Sequence, residues 1–391
     1  MLKLKILIAD DEPFNLDYLE QELGELDYET VSVGDGGEAW EKVQSEHPDL
    51  VLLDIMMPVM DGFEVLSRLK ANPATRDIPV IVISADDDLK SVVRGIKLGA
   101  EDYLPKPFEP TLLYARISSC LEKKHLRDLQ QLYLKGLERE LDIAREIQQG
   151  FLPAELPRME GWEIAAYFKA AREVAGDFYD AFLLPDGNLV WVIGDVCGKG
   201  VGAALFMTLF RSLIRATATT DTFTNQEKTP ALSAAERLQH VISFTNQYIS
   251  ETHGDANMFA TVFIGMIQLE EGRLSYINCG NESSLLLRDG NVAAELKPTG
   301  PVVGIIPDAV FAVNEILLEK NDLLLAFTDG IPDAINGENV VFGGQRLLDS
   351  VTGGDTSPQE LLSKIQDALL EFAGSTDQFD DITMLAVKRS A

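Results

Sequence analysis

The chain has 391 residues, 46% of them hydrophobic, with a formal net charge of −30 and a pI near 4.4. That length supports two or three independent cores. The acidic balance repels nucleic-acid phosphates and anionic membranes, so neither is expected as a partner, and a DNA-binding regulator is disfavoured. No apolar run reaches the roughly 18 residues of a membrane span. The N-terminal "MLKLKILIADDEP" lacks the apolar segment and cleavage site of a signal peptide. Cys120, Cys197 and Cys279 are far apart and odd in number, which argues for reduced thiols and a cytoplasmic location. His47, His125, His240 and His253 are scattered and read as surface or core residues.

Residues 1–108 alternate strand and helix signals. Apolar strand runs fall at 5–10, 50–54, 78–84 and 102–107, with a weaker one at 29–33. Continuous apolar strands separated by helices predict an α/β domain with a doubly wound parallel sheet. Such sheets carry their sites beyond the carboxyl ends of the strands. Asp10 and Asp11 end the first strand, Asp54 the third, Ser84 the fourth and Lys106 the fifth. Three carboxylates converging there can hold one Mg2+. A hydroxyl and an ammonium beside them suit an added phosphoryl group, and a carboxylate next to a metal can itself accept phosphoryl.

Residues 109–150 contain almost no turn residues apart from Gly136. Leu126, Leu129, Tyr133, Leu137, Leu141, Ala144, Ile147 and Phe151 keep a three-to-four spacing. This predicts a helix about 60 Å long at ~1.5 Å per residue, too long to bury its seam in one small domain. A two-stranded coiled coil between subunits is the preferred reading. The alternative is a helix folded back on its own domains. "FLPAELP" ends the helix with two prolines.

Residues 158–391 read as α+β, a layered β-sandwich flanked by helices. "PDGN", "EEGR" and "RDGN" mark hairpin turns between strand runs. Helices are expected over 201–218, 233–250 and 357–373, and a mobile polar loop over 219–232.

The stretch "IGDVCGKGVGAALFM" at 193–207 raises a choice between a phosphate-cradling loop and a carboxylate site. A phosphate loop needs four residues between its first Gly and the Gly-Lys, then Ser or Thr. Here Gly194 and Gly198 enclose three, and Gly200 follows Lys199. The carboxylate reading fits better. Asp177, Asp195, Asp329, Asp380 and Asp381 each lie at the edge of an apolar strand. Gathering several carboxylates is costly unless cations offset their repulsion, and oxygen-only ligands favour Mg2+ or Mn2+ over zinc. Two such ions about 3.5–4 Å apart can activate a shared water and clamp a phosphoryl oxygen. Asp195 is the natural bridge, with Gly194, Gly198 and Gly200 leaving room for metal and substrate.

"ADDEP", "LLDIMMPVMDG", "VIVISA" and "YLPKPF" resemble the response-regulator receiver family, over roughly residues 3–122. The resemblance implies a flavodoxin-like fold with Asp54 as phosphoacceptor. It further implies Mg2+ held by Asp10, Asp11, Asp54 and the carbonyl of Met56, with Ser84 as switch hydroxyl, Lys106 on the phosphoryl group and Tyr103 as aromatic switch. "AREIQQGFLP", "GDVCGKGVGAALFM", "NCGNESSLLL", "GPVVGI", "FTDGIPDA" and "DDITMLAV" resemble the metal-dependent serine/threonine protein phosphatases, in the branch of sigma-factor-regulating and sporulation phosphatases. That resemblance, over about 145–391, implies two Mn2+ or Mg2+ ions bridged by Asp195. Asp329 and Asp380 would serve one ion, and Asp177 with the carbonyl of Val196 the other. Asp380 is preferred as ligand and Asp381 as its hydrogen-bonding neighbour.

The sequence departs from the branch at Ala175, Cys197, Asn281 and Asp333, where Gly, Ser, His and Glu are frequent. None of these removes a predicted carboxylate ligand. No phosphate-binding arginine matches clearly; Arg172 is a candidate only, and a surface salt bridge is the preferred reading of it.

The expected organisation is a receiver domain at 1–122, a helical coiled-coil linker at 123–157 and a phosphatase domain at 158–391. The expected function is a two-component response regulator whose Asp54 phosphorylation activates phosphoserine/phosphothreonine hydrolysis. Its expected partners are a sensor histidine kinase or phosphotransfer protein, a substrate of the anti-sigma-factor antagonist type, and a second copy through the linker. The alternative is a phosphorylation-controlled adaptor that binds a partner without hydrolysis.

Overall fold

A computed structural model describes residues 3–85, 89–107, 109–220, 232–354 and 356–390. It divides into two compact units, Met1–Glu138 and Arg139–Ala391. Most of the polar loop read at 219–232 lies outside the described residues.

The first unit runs β1 (Lys5–Ala9), α1 (Pro13–Glu25), β2 (Glu29–Val33), α2 (Gly36–Glu46), β3 (Leu50–Asp54), α3 (Gly62–Ala71), β4 (Val80–Ser84), α4 (Leu89–Lys97), β5 (Asp102–Pro105) and α5 (Pro110–Gln149), whose residues from Arg139 on belong to the second unit. The strands pair in parallel in the order β2-β1-β3-β4-β5. This is the doubly wound parallel sheet expected from the alternating pattern, in the flavodoxin-like order that the receiver-family resemblance implies. β3 and β4 are buried along their whole length, because helices cover both faces. One apolar cluster joins α2 and α3 to the sheet, and another joins α1 and the start of α5 to its opposite face. Asp35 caps α2 by accepting from the N–H of Gly37 and Glu38, and Asp61 caps α3 by accepting from Glu64. The run read at 78–84 becomes a strand only from Val80. Pro79 has no N–H for the ladder, although its carbonyl still accepts from Val51 at 2.9 Å.

The predicted long helix is present as α5, 40 residues. Leu113, Ile117, Cys120 and Leu121 bury its first turns in the first unit's core. From Leu126 to Leu137 the apolar seam is exposed.

The second unit contains β6 (Trp162–Lys169), β7 (Asp177–Leu183), β8 (Leu189–Val196), α6 (Val201–Thr219), α7 (Ala234–Thr252), β9 (Ala260–Gln268), β10 (Arg273–Cys279), β11 (Ser284–Arg288), β12 (Asn291–Leu296), β13 (Asn314–Leu317), β14 (Leu323–Phe327), α8 (Gly343–Val351), α9 (Pro358–Ala373) and β15 (Ile382–Arg389). Two antiparallel sheets form, ordered β13-β10-β9-β8-β7 and β12-β11-β14-β15-β6. Trp191, Phe263, Leu324 and Leu385 belong to the layer between them. α6 and α7 pack on the outer face of the first sheet, and α8 and α9 on that of the second. The result is the β-sandwich flanked by helices that the patterning predicts.

β13 and α8 are additions to the sequence reading. α6 also qualifies that reading. Its length and mean hydropathy of 1.3 would suit a membrane span, yet Ala203, Met207, Phe210, Ile214 and Ala218 are buried in the core against β7 and β8.

The loop after β3 is closed by the Gly62 N–H donating to the Ile55 carbonyl at 2.9 Å. A Cβ on Gly62 would meet the Asp54 carbonyl oxygen at 2.1 Å. Gly62→Ala must therefore push the backbone of Asp54 aside, and overpacking of this kind costs about 1–3 kcal/mol. Urea unfolding of the variant is expected to show that loss, and a change below about 0.5 kcal/mol would contradict it.

Candidate phosphoryl and metal sites

The first site lies beyond the carboxyl ends of β1, β3, β4 and β5. Asp10 is buried. One of its oxygens accepts from the Glu12 N–H and Asn15 Nδ2, both at 3.0 Å, and the other accepts from Lys106 Nζ at 2.6 Å. Lys106 Nζ also lies 3.1 Å from Asp54 Oδ1. Asp10, Asp11 and Asp54 offer oxygens all within 4.8 Å of one another, a spacing that suits a single oxygen-liganded cation.

Burial raises the Asp54 carboxyl above its ordinary range. The Lys106 charge opposes that rise and Asp10 adds to it. Burial lowers the Lys106 ammonium, but its hydrogen bond to Asp10 and the Asp54 charge outweigh this, so it stays protonated. Ser84 is fully buried at the end of β4, and the Lys106 N–H donates to its carbonyl at 2.8 Å. Tyr103 is half-buried against the cluster under α2 and α3. Met56, in the loop after β3, has an exposed side chain.

The second site lies at one edge of the sandwich. Asp177 opens β7 and stands opposite Asp195 of β8. Asp329 follows β14, and Asp380 and Asp381 precede β15. One oxygen of the buried Asp177 accepts from Thr328 Oγ1 at 2.7 Å and Thr383 Oγ1 at 2.6 Å. Burial drives the Asp177 carboxyl well above its ordinary value, with Asp195 and Asp381 adding to the rise. Asp195 is pushed up to about 7, first by burial and then by Asp329 and Asp380. Asp329 rises to about 6 through burial, Asp380 and Asp333, opposed by Lys199. Among the described residues, three ligand atoms within 4.8 Å occur only at Asp10, Asp11 and Asp54. The sandwich carboxylates are spread more widely.

Asp380 and Asp381 differ in their partners. Asp381 is buried and accepts from the N–H of Ala171 at 2.8 Å and of Gly176 at 2.7 Å. Asp380 is half-buried and pairs with Lys199 Nζ at 2.9 Å. Lys199 also donates to the Phe379 carbonyl at 2.8 Å and sits 4.1 Å from the centre of the Phe379 ring. A Cβ on Gly176 would come within 2.8 Å of the Val196 carbonyl oxygen, so this position holds the backbone of β7 close to that of β8.

Gly194 corrects one expectation. It leaves no room for metal or substrate, because a Cβ there would strike the Phe178 ring at 2.6 Å. Gly198 and Gly200 adopt φ of 89° and 80° and shape the turn into α6. Asn281, at the position where His is frequent, is buried and donates to the Phe327 carbonyl at 3.1 Å, which fixes the end of β14. Arg172 is exposed in the turn before β7.

Four residues that sequence reasoning did not place now have contacts: Thr328, Thr383, Lys199 and Gln148. The available signal for the threonines was their position, one before Asp329 and two after Asp381. Lys199 lies in the Gly-Lys turn after Asp195, and Gln148 in "AREIQQGFLP" at the end of the long helix.

Comparison with known proteins agrees with this architecture. The family model of Stage II sporulation protein E (SpoIIE) matches residues 185–390, slightly more than half of the chain. That of the response regulator receiver domain matches residues 6–118. Protein IcfG of Synechocystis is 43% identical over 268 residues, covering 65% of this chain and 42% of the relative. The probable transcriptional regulator ycf27 of Cyanophora paradoxa is 38% identical over 158 residues, 40% of this chain and 62% of the relative. The chain thus spans about half the length of these curated relatives. The SiaA-PP2C domain of Pseudomonas aeruginosa superposes with a TM-score of 0.54 at 24% identity, covering 66% of this chain and 98% of that domain, a likeness of fold. With an N-terminal receiver domain and a C-terminal domain of the SpoIIE/PP2C phosphatase type, the chain belongs to the Stage II sporulation protein E family.

Proposed function

We propose that the chain is a response regulator in which phosphorylation of Asp54 activates a divalent-metal-dependent phosphoserine/phosphothreonine phosphatase. The observation that carries this reading is the facing pair of a buried Asp177 and a half-buried Asp195, repelled further by Asp329, Asp380 and Asp381. A donor set made only of carboxylate oxygens suits Mg2+ or Mn2+. Lys199 offsets one edge of the charge, at Asp380, and among the described residues no side-chain cation pairs with Asp177 or Asp195. The site therefore fits divalent ions.

In this reading Asp195 would be shared by two ions, Asp329 and Asp380 would hold one, and Asp177 with the Val196 carbonyl would hold the other. Bound ions would supply an activated water and a clamp on the phosphoryl oxygens. The protein's own part is positioning. Thr328 and Thr383 hold one oxygen of Asp177 and leave the other for the site, while Asp381 fixes the turn before β7 through two backbone N–H groups.

In the receiver domain, Asp54 would take the phosphoryl group from a histidine kinase or phosphotransfer protein. Mg2+ would sit among Asp10, Asp11, Asp54 and the Met56 carbonyl. Lys106 would neutralise the phosphoryl oxygens, with Ser84 and Tyr103 reporting the change. The domain limits we assign are 1–122, 123–157 and 158–391. The exposed seam of α5 supports a homodimeric coiled coil, and the location we assign is the cytoplasm. The substrate class is a phosphorylated anti-sigma-factor antagonist.

Phosphate release from a phosphopeptide with Mn2+ tests the reading. Asp195→Asn and Asp329→Asn are each expected to lose about 3–4 kcal/mol of transition-state stabilisation, roughly 10²–10³-fold in rate. Wild-type turnover in either variant would sink it. Beryllofluoride, an aspartyl-phosphate mimic, is expected to raise wild-type turnover and leave an Asp54→Asn chain unchanged.

The carboxylates also set a pH dependence. Asp177, Asp195 and Asp329 have folded pKa values above the unfolded value of 3.8, with Asp195 near 7 and Asp329 near 6. The folded state then favours the protonated acids. Their stabilising contribution is complete below about pH 4 and is lost as the pH rises through about 6–7. In chelator the unfolding temperature is therefore expected to fall between pH 5 and pH 8, and less steeply in Asp195→Asn. Mn2+, which binds the ionised carboxylates, should restore stability at pH 8. Calorimetry showing no pH slope in chelator would contradict this.

A further inference from the structure

The segment that delivers Asp177 is gripped by the end of α5. Gln148 is buried at 6% exposure. Its Oε1 accepts from the Ala175 N–H at 2.9 Å, and its Nε2 donates to the Ala175 carbonyl at 2.8 Å. One carboxamide thus satisfies both backbone groups of a residue that is itself fully buried, as a neighbouring strand would. One helical turn earlier, on the same face, Arg145 Nε donates to the Glu173 carbonyl at 2.8 Å. Gly176 follows at once, tied by its N–H to Asp381, and then Asp177. The stretch 173–176 is therefore held by α5 on one side and by Asp381 on the other.

We propose that Gln148 is a positioning residue that transmits the state of α5 to Asp177, a role that rests on the reading that the receiver domain controls the phosphatase. The chemistry narrows the residue type. The contact needs a donor and an acceptor on one planar group, at a reach one methylene longer than Asn. A helix that shifts by one residue moves its side chains by about 1.5 Å along its axis and turns them by about 100°. Either movement breaks bonds that fail beyond about 3.2 Å. Buried backbone groups left without partners are costly, so residues 173–176 must follow the helix, and Asp177 with them. A carboxamide does not titrate, so the link responds to helix geometry and not to pH.

The test uses the full chain with Gln148→Met, which keeps the length and loses both bonds. Two quantities are read: Mn2+ affinity by calorimetry, and turnover on a phosphopeptide with and without beryllofluoride. Asp54→Asn reports any direct effect of beryllofluoride on the phosphatase. Groups that orient metal ligands are worth about 10–100-fold in metal affinity. Q148M is expected to lose that much at the phosphatase ions, to lower kcat with KM for the phosphopeptide unchanged, and to bring the beryllofluoride ratio to one. Wild-type Mn2+ affinity in Q148M overturns the positioning role. A retained beryllofluoride ratio overturns transmission. If the wild type itself does not respond to beryllofluoride, the regulatory reading fails, and the Mn2+ affinity of Q148M still decides the positioning role. Should Q148M not fold, Gln148→Asn and Arg145→Ala carry the same two readouts, with the smaller effect expected for Arg145→Ala.

Discussion

Asp177, buried, and Asp195, half-buried, face each other across neighbouring strands, with Asp329 and Asp380 close enough to raise the Asp195 pKa further. Such a group of like charges is unstable alone. Much of the surrounding structure holds it in place. Two threonine hydroxyls, from either side of the β14–β15 pair, hold Asp177. Asp381 spends its oxygens on backbone N–H groups and so fixes the loop before β7. Asn281 fixes the end of β14 beside Asp329. Rigid sheet ends allow this, since strand registers separate the carboxylates by fixed amounts.

The receiver domain meets the same repulsion in another way. Asp10 and Asp54 share a lysine, and the Lys106 ammonium sits within hydrogen-bonding distance of both. One tethered cation offsets two buried carboxylates while a third, Asp11, faces solvent. In the sandwich Lys199 reaches the outer carboxylate, Asp380, and a phenyl ring, leaving the inner pair to other cations.

The parallel sheet was legible because β1, β3 and β4 are buried on both faces and read as unbroken apolar runs. The sandwich was legible through its Gly-containing hairpin turns and three well-patterned helices. β13 was not, since "NEIL" is a four-residue edge strand of mainly exposed residues. α8 begins with two glycines and lacks a side-chain cap, so its helical state depends on burying Leu347 and Val351. The carboxylates announced themselves as acids at the edges of apolar strands. Their supports did not, because Thr328 and Thr383 lie 151 and 206 residues from Asp177, and Gln148 lies 27 residues from Ala175. Gly194 misled for a related reason. A glycine before a ligand aspartate suggests open space, but β-strand alternation turns it toward Phe178 on the opposite face.

The proposed phosphatase activity requires divalent cations to compensate the sandwich carboxylates, independently of the receiver domain. Calorimetric titration of the full chain with Mn2+ tests this most directly. Three ions per chain are expected, two at the sandwich edge and one at Asp10, Asp11 and Asp54, falling to about one in Asp195→Asn. A stoichiometry that Asp195→Asn leaves unchanged would contradict it.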